Sequence, residues 1–375
     1  MGGNKILVED KETKVLLDFG MSFAERDRFY SDPWLSPRNE RDLLEFGILP
    51  QIEGAYIFDQ REPAIEGVLL SHSHLDHSRH ISFLKEGTHI HLGEATSNII
   101  HALNSISKKG FETDVSHLQF ATFRTGDKIK VGSFEIEPVH VDHSVPGSYG
   151  YIIHTSDGSI AYTGDLRTHG PRPDLTREFV ERAAASEPVA MISEGTNFGG
   201  AVISSEPQVR KEIDSIVSSV DKVVLASFSY GDIDRLRTFY QVAKENSRYL
   251  AISLKQAYLL KSLSRDPHLD IPALDDPALL IFRRAKKHYY EWEQELLRSP
   301  NICTATEIRA LQEKVILVCS FLDFKELIDI RPEPGSTFIL SQSEPFNEEM
   351  EIEYQRLMNW LDHFGLPMYL SLIHI

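Results

Sequence analysis

The segment Gly67-Val68-Leu69-Leu70-Ser71-His72-Ser73-His74-Leu75-Asp76-His77 places three histidines and one aspartate within six residues. The apolar run that precedes them is typical of a buried strand. His72 and His74 share one side of an extended segment, because alternate residues point the same way. Asp76 and His77 can face a second point after the chain turns. The spacing therefore predicts two neighbouring metal centres with nitrogen and oxygen ligands, which suit zinc.

Two later turns could complete these centres. Val141-Asp142-His143-Ser144 and Tyr162-Thr163-Gly164-Asp165-Leu166 each follow a predicted strand. His143 would complete the first centre, and Asp165 could bridge both metals with its two oxygens. Each turn alone is more often structural, and His140 is a competing ligand candidate. For the whole cluster, a polar loop with histidines by chance is the alternative interpretation.

Composition limits the classes of function. The formal charge of −17 repels phosphate backbones at long range, so binding of nucleic acid requires a local basic groove. Bound metals would supply positive charge at a nuclease site. Two cysteines are too few for a disulfide framework, which favours a reducing cytoplasm. No signal peptide is apparent, and no run approaches the roughly 18 apolar residues of a membrane helix.

The pattern of secondary structure changes near residue 205. Before it, short apolar runs and the alternating segment 134–139 predict strands, and Asp157-Gly158 predicts a hairpin turn. After it, helical stretches alternate with apolar runs at 222–226, 249–253, 314–319 and 337–340, which favours a parallel sheet. A helix is expected from about 347 to 363. The length of 375 residues also favours two units.

In order along the chain, Asp18, the cluster at 72–77, His143 and Asp165 resemble the sequential motifs of the metallo-β-lactamase superfamily. The resemblance covers about residues 1–200 and implies an α/β fold, an αββα sandwich with metals at one edge of two sheets. Its ligand histidine precedes Ser-x-Pro, as in His143-Ser144-Val145-Pro146, which favours His143 over His140. Asp18 would orient the cluster through hydrogen bonds without binding metal. The implied metal ligands are His72, His74, Asp76, His77, His143 and Asp165.

The following sequence resembles the β-CASP branch, RNA-processing nucleases such as ribonuclease J, in which an α/β domain is inserted. Glu194 in Met191-Ile192-Ser193-Glu194-Gly195 is similar to the acid of motif A and becomes a catalytic candidate. Ser341-Gln342-Ser343-Glu344-Pro345 resembles the loop at the end of the insert, implying RNA contacts by Ser341 and Ser343; a serine-rich turn is the alternative. The expected domains are a metallo-β-lactamase domain at 1–200, the β-CASP domain at 201–345 and an incomplete return segment to the first domain at 346–375.

The resemblance has departures at both ends. Gly2-Gly3-Asn4-Lys5 looks like the middle of the family's first hairpin, and motif B and the motif C histidine are missing from the sequence. We therefore expect a fragment that is truncated at both ends and whose last six residues could be foreign. His374 has neighbours that do not match motif B, so it is not assigned.

Two basic features are candidate RNA contacts. Arg235 begins a predicted helix after a strand, where a phosphate could be held; a salt bridge with neighbouring acids is the alternative. The run Arg283-Arg284-Ala285-Lys286-Lys287-His288-Tyr289-Tyr290 could bind RNA through phosphates and stacking. Its alternative is the solvated face of a helix.

The resemblance implies a hydrolase, a zinc-dependent ribonuclease with RNA as its partner and two Zn²⁺ per intact chain. The metals would lower the pKa of a shared water, Asp165 would hold the metal pair and Asp76 could accept a proton. The other candidate functions are a hydrolase of the same fold acting on a small substrate such as a thioester, and a non-catalytic scaffold. We expect a cytoplasmic protein with no membrane segment, and homodimerisation is left open.

Overall fold

The chain divides into two compact units. The computed structural model describes residues 2–32, 34–107, 110–195, 205–341 and 348–370. Unit 1 comprises Met1–Thr168 with Arg172–Gly195, and unit 2 comprises His169–Pro171 with Thr196–Ile375. Unit 1 ends at Gly195, a few residues before the expected boundary at 201.

The first sheet of unit 1 has the strand order β1-β2-β3-β4-β5. Its first pair is antiparallel and the other pairs are parallel. The strands are β1 (Ile6–Asp10), β2 (Thr13–Leu17), β3 (Gly67–Leu70), β4 (His89–Gly93) and β5 (Gln119–Phe123). The accompanying helices are α1 (Phe23–Asp27), α2 (Glu40–Glu45), α3 (Leu75–Ser78) and α4 (Glu94–Ile106).

The second sheet of unit 1 has the order β10-β9-β8-β7-β6. It is antiparallel except for the parallel pair of β9 and β10. Its strands are β6 (Ile129–Val131), β7 (Phe134–His140), β8 (Tyr149–Thr155), β9 (Gly158–Tyr162) and β10 (Ala190–Ile192), and α5 spans Pro173–Ala185. The predicted hairpin turn at Asp157-Gly158 joins β8 to β9.

The two sheets pack face to face because apolar side chains alternate along their strands. Leu69 faces the core between the sheets, together with Tyr151 and Ile153. Its neighbours in β3 instead face a second core that includes residues of α2 and α4, while Ile152 packs against Phe179 of α5. These helix, sheet, sheet and helix layers confirm the expected αββα sandwich.

Unit 2 contains a seven-stranded, entirely parallel sheet in the order β14-β13-β12-β15-β11-β16-β17. Its strands are β11 (Val224–Ser227), β12 (Tyr249–Ser253), β13 (Leu279–Phe282), β14 (Ile302–Cys303), β15 (Val315–Val318), β16 (Thr337–Leu340) and β17 (Met368–Leu370). Its helices are α6 (Glu206–Ser219), α7 (Ile233–Glu245), α8 (Leu254–Leu263), α9 (Glu291–Leu296), α10 (Ala305–Ala310), α11 (Leu327–Ile330) and α12 (Glu348–Phe364). Among the described helices, none is long and apolar enough to cross a bilayer.

The described part of residues 346–375 packs in unit 2. Strand β17 pairs in parallel with β16. Helix α12 buries Leu357 and Leu361 in the core beside Phe338 of that sheet. The apolar face of this helix and the strand after it are thus both satisfied within unit 2. The expected return of the chain to the first domain stays a prediction.

Candidate metal centre

Backbone hydrogen bonds fix the histidine segment to the turn that follows β2. Phe19 N–H donates to the carbonyl of His77 at 2.8 Å, and Met21 N–H donates to that of Leu75 at 2.9 Å. Between them, a Cβ on Gly20 would lie 1.6 Å from the carbonyl oxygen of Asp76. A side chain at position 20 would therefore displace the turn that carries Asp76 and His77.

Asp18 is fully buried and joins this turn to both sheets. Its backbone has φ of 58°, a left-handed conformation that aspartate tolerates better than most residues. Its carboxylate accepts from the backbone N–H of Ser71 at 2.6 Å and from the hydroxyl of Tyr162 at 2.5 Å. The same carboxylate lies 2.6 Å from Nδ1 of His77. Asp18 thus directs the other ring nitrogen of His77, Nε2, towards the cluster.

His72, His74 and His143 bring three ring nitrogens together. Nδ1 of His74 lies 3.1 Å from Nε2 of His72 and 3.0 Å from Nε2 of His143. Tetrahedral ligands at about 2.05 Å from zinc are separated by roughly 3.3 Å, so the separations suit a shared ion. The ligand atoms of these histidines and Asp165 all lie within 4.8 Å of one another. This group has the donor set of a divalent metal site.

Asp165 lies between the three histidines of this group and His77. Its Oδ2 is 3.9 Å from Nε2 of His72 and 4.0 Å from Nε2 of His143. Its Oδ1 is 3.2 Å from Nε2 of His77. Asp76 completes the second side, with Oδ2 3.8 Å from the same nitrogen. The two oxygens of Asp165 therefore point to two different sets of donors, as a bridging ligand requires.

Burial and neighbouring charges affect the cluster in opposite ways. Burial lowers the pKa of His72, His74 and His143, so these imidazoles are neutral and available to bind metal. Burial would also lower the pKa of His77, but Asp18 and Asp165 outweigh it and raise that pKa to about 10. Metal binding at His77 must therefore displace a proton.

His143 is held by a buried ion pair that the sequence did not reveal. The Arg167 guanidinium lies 3.2 Å from Oδ1 of Asp142, with side-chain exposures of 4% and 2%. Arg167 also donates to the carbonyl of His143 at 3.3 Å. The competing candidate His140 is not among the four grouped donors. Its ring stacks on Tyr149, with 5.0 Å between centroids.

Glu194 lies beyond the end of β10, outside the group of four donors. Its backbone N–H donates to the hydroxyl of Thr163 at 3.3 Å, two residues before Asp165. The parallel pairing of β9 and β10 thus brings it to the turn that carries Asp165. Its catalytic role, like the ligand role of each residue in the cluster, stays a prediction.

The expected substrate contacts of unit 2 have a different environment. Arg235 is only 3% exposed; it donates to the hydroxyl of Ser341, at the end of β16, and lies 3.3 Å from Glu206. This ion pair corresponds to the salt-bridge alternative, although the acid lies 29 residues away. Ser343 lies outside the described residues. A phosphate contact by Arg235 or Ser341 stays a prediction.

The basic run at 283–290 contains no helix. Arg284 pairs with Asp323 at 2.6 Å, Lys286 pairs with Glu293, and the Tyr289 hydroxyl donates to the carbonyl of Arg284 at 2.7 Å. These contacts hold an irregular loop between β13 and α9. The alternative of a solvated helix face is therefore wrong.

Sequence reasoning did not identify several residues that support the centre. Besides the Asp142–Arg167 pair, these are Tyr162, which donates to Asp18, and Asn4, whose amide nitrogen lies 3.0 Å from Nε2 of His77. Tyr162 and Arg167 each lie within three residues of Asp165. Proximity to that motif was the one signal that could have indicated them.

The comparisons with known proteins agree with this geometry. Residues 28–186 match the model of a β-lactamase superfamily domain. Ribonuclease J of Sinorhizobium meliloti is 28% identical over 229 residues, which cover 58% of this chain and 38% of that protein. Ribonuclease J of Helicobacter pylori strain J99 is 25% identical over 264 residues, which cover 67% of this chain and 34% of that protein. The chain thus matches less than half of the length of these relatives.

A solved structure extends the likeness to the whole fold. A protein of unknown function from Enterococcus faecalis V583 superposes with a TM-score of 0.75 at 19% identity, covering 99% of this chain and 85% of that chain. At this identity the likeness concerns the fold alone. The matching domain model and the two ribonuclease J relatives confirm the resemblance to the metallo-β-lactamase superfamily and to ribonuclease J.

Proposed function

We propose that this chain, in which residues 28–186 match a β-lactamase superfamily domain, is a metal-dependent hydrolase of RNA phosphodiester bonds. The position of Asp165 is the observation that carries the proposal. One of its oxygens faces His72 and His143, while the other faces His77. Two metal ions held in this way suit an in-line displacement at phosphorus. The likeness to ribonuclease J favours RNA over a small substrate.

Two zinc ions are the proposed cofactors. His72, His74, His143 and Asp165 would hold one, and Asp76, His77 and Asp165 the other. Nitrogen and carboxylate donors of this kind suit zinc. When bound, the metal ions would supply Lewis acidity, polarising the phosphate and lowering the pKa of water at the site.

The protein's own residues would orient the reaction and move its protons. Asp76 keeps 31% of its side chain exposed, so it can accept a proton from the attacking water. Asp18 fixes the ring orientation of His77, and the Asp142–Arg167 pair fixes the backbone of His143. Glu194 would assist from the turn beside Asp165. Homodimerisation and a cytoplasmic location stay predictions; both cysteines are free and buried.

The test uses zinc-loaded protein with three labelled substrates: an RNA, a DNA of the same sequence and a small thioester. Two variants, Asp165→Asn and His143→Ala, disrupt the centre, and His140→Gln is the matched control outside it. We expect RNA cleavage by the parent and the control, and at least a 100-fold slower rate in both centre variants, since bridging and direct ligands are removed.

Three results would contradict the proposal. Parental cleavage rates in the two centre variants would show that the activity does not depend on the clustered residues. Thioester hydrolysis without RNA cleavage would favour the small-substrate hydrolase. Absence of all three activities in zinc-loaded protein would favour a non-catalytic scaffold.

A further inference from the structure

Unit 2 contains a cavity of about 400 Å³ that three arginines line, Arg283, Arg309 and Arg331. Arg283 directly follows β13, and Thr304, also in the lining, directly follows β14. Because this sheet is parallel, both residues lie at the carboxyl ends of their strands. Open α/β sheets bind their ligands at this edge.

The three guanidinium groups have no partners within the part of the chain that the structure describes: none of them forms an ion pair or a side-chain hydrogen bond. Arg284, the neighbour of Arg283, does pair, with Asp323. All three side chains are exposed, and they bring three positive charges to one cavity in a chain of net charge −17. Guanidinium forks match the geometry of phosphate oxygens, so the cavity has the donors of a phosphate site.

Two carboxylates in the lining indicate a ligand that has hydrogen-bond donors as well as negative charge. Glu326 is buried and accepts a hydrogen bond from the backbone of Ala285. Asp329 is exposed and also lines the cavity. Carboxylates repel phosphate but accept hydrogen bonds from sugar hydroxyls. Arginines that donate to phosphate, beside a carboxylate that accepts from a hydroxyl, suit a ribonucleotide. Its 2′-hydroxyl distinguishes RNA from DNA.

The loop that begins at Arg283 adds a surface for a base. Tyr290, at its other end, is 66% exposed. The Lys286 ammonium lies 5.7 Å from the centre of that ring. An exposed aromatic ring beside a cation is typical of surfaces on which single-stranded bases stack.

We propose that this cavity is an auxiliary binding site for single-stranded RNA, separate from the residues that the ribonuclease resemblance indicates. Arg283, Arg309 and Arg331 hold backbone phosphates, and Asp329 accepts from a ribose 2′-hydroxyl. The inference rests on the proposed function and extends it. Ser341, at the carboxyl end of β16, lies on the same edge of the same sheet. Four strand spacings separate β16 from β13 in the sheet order, roughly 19 Å, so one RNA strand along the edge would reach both.

The test measures binding without cleavage. Fluorescence anisotropy follows a labelled 12-nucleotide RNA and the DNA of the same sequence, with the protein in EDTA so that the metal centre is inactive. The cavity variant combines Arg283→Ala, Arg309→Ala and Arg331→Asn; asparagine is chosen because position 331 has φ of 50°. The control combines Arg265→Ala, Arg298→Ala and Arg356→Ala, three exposed arginines of unit 2 outside the cavity lining, with the same change in charge.

We expect the cavity variant to bind RNA at least 10-fold more weakly at 0.1 M salt, and the control to stay within twofold of the parent. Loss of three phosphate contacts on a single strand should reduce the slope of log K against log salt by about 2. Asp329→Ala, which removes the acceptor, should abolish the preference of the parent for RNA over DNA without weakening DNA binding. Circular dichroism checks that every variant is folded.

Equal RNA affinities of the cavity variant and the parent would overturn the inference, as would an equal loss in the control. Equal affinities of the parent for RNA and DNA would overturn the role of Asp329. Failure of the proposed function has a different signature: zinc-loaded parent would cleave no RNA, whatever the binding in EDTA shows.

Discussion

A single buried carboxylate connects the metal-ligand segment of unit 1 to its second sheet. Asp18 accepts from Ser71, which adjoins His72, and from Tyr162 at the end of β9. It also fixes the imidazole of His77. Such outer hydrogen bonds orient ligands and adjust their basicity, so their loss weakens metal binding although no ligand is removed.

We expect Asp18→Asn to weaken zinc binding by about 10–100-fold, because an amide cannot accept from every donor that the carboxylate satisfies. Asparagine tolerates the positive φ of position 18, so the backbone turn is retained. Competition with a zinc chelator measures the affinity. Tyr162→Phe, which removes one donor, is the control and should lose less. Parental affinity in Asp18→Asn would show that the carboxylate does not orient the centre.

The Asp142–Arg167 pair has an energetic role that an exposed pair lacks. Arg167→Ala leaves the Asp142 carboxylate buried without its charged partner, which typically costs about 3–5 kcal/mol. Arg172→Ala breaks the exposed pair with Asp174, where about 0–1 kcal/mol is expected. Urea unfolding compares the two variants. Similar free energies of unfolding for both would refute the structural role of the buried pair.

The separation along the chain between interacting residues explains which site residues could be predicted from the sequence. His72, His74, Asp76 and His77 share one short segment, so their spacing alone indicated a metal site. Tyr162 reaches Asp18 across 144 positions, a contact that no local pattern contains. Arg235 illustrates the same limit, since its start-of-helix position suggested an open phosphate site while its buried contacts come from distant segments.

At the scale of elements, two turns in backbone contact form one side of the candidate metal centre. The turn after β2 donates backbone hydrogen bonds to carbonyls of α3 from both sides of Gly20. Strand β7 was predictable because its period-two alternation is a local signal, and β8 and β9 were predictable because they flank the Asp157-Gly158 turn. The loop at 283–290 and the pairing of β17 were not, because distant ion pairs and sheet partners determine them.

Gly20→Ala should disrupt the backbone contact between the turn after β2 and α3. Its Cβ would lie 1.6 Å from a carbonyl oxygen of the backbone, which has no flexible end to move aside. We expect a loss of more than about 3 kcal/mol in stability, or loss of zinc binding if the turn moves instead. Gly110→Ala, with nothing within 4 Å of its Cβ, should change stability by less than about 0.5 kcal/mol. A Gly20→Ala protein with parental stability and parental zinc affinity would show that this close contact is not required.

At the scale of the whole molecule, folding and metal binding are linked, because the donors of the cluster come from positions as far apart as 72 and 165. The unfolded chain does not hold these groups together. A ligand that binds only the folded state stabilises it, by about 2.7 kcal/mol when its free concentration is 100 times Kd.

Zinc should therefore raise the melting temperature of the parent relative to EDTA, and the increment should disappear in His74→Ala. Calorimetry of both proteins with and without zinc measures it. His89→Ala, an exposed histidine outside the cluster, is the control that should keep the parental increment. Equal increments in the parent and His74→Ala would place the zinc that stabilises the protein elsewhere.

The central claim is that the clustered histidines and aspartates form a metal centre, and anomalous diffraction at the zinc edge tests it most directly. In crystals grown with zinc, we predict one peak about 2.0–2.1 Å from the facing nitrogens of His72, His74 and His143. A second peak should lie on the other side of Asp165, beside Nε2 of His77. Zinc peaks confined to other parts of the molecule, with none within coordination distance of these nitrogens, would contradict the account.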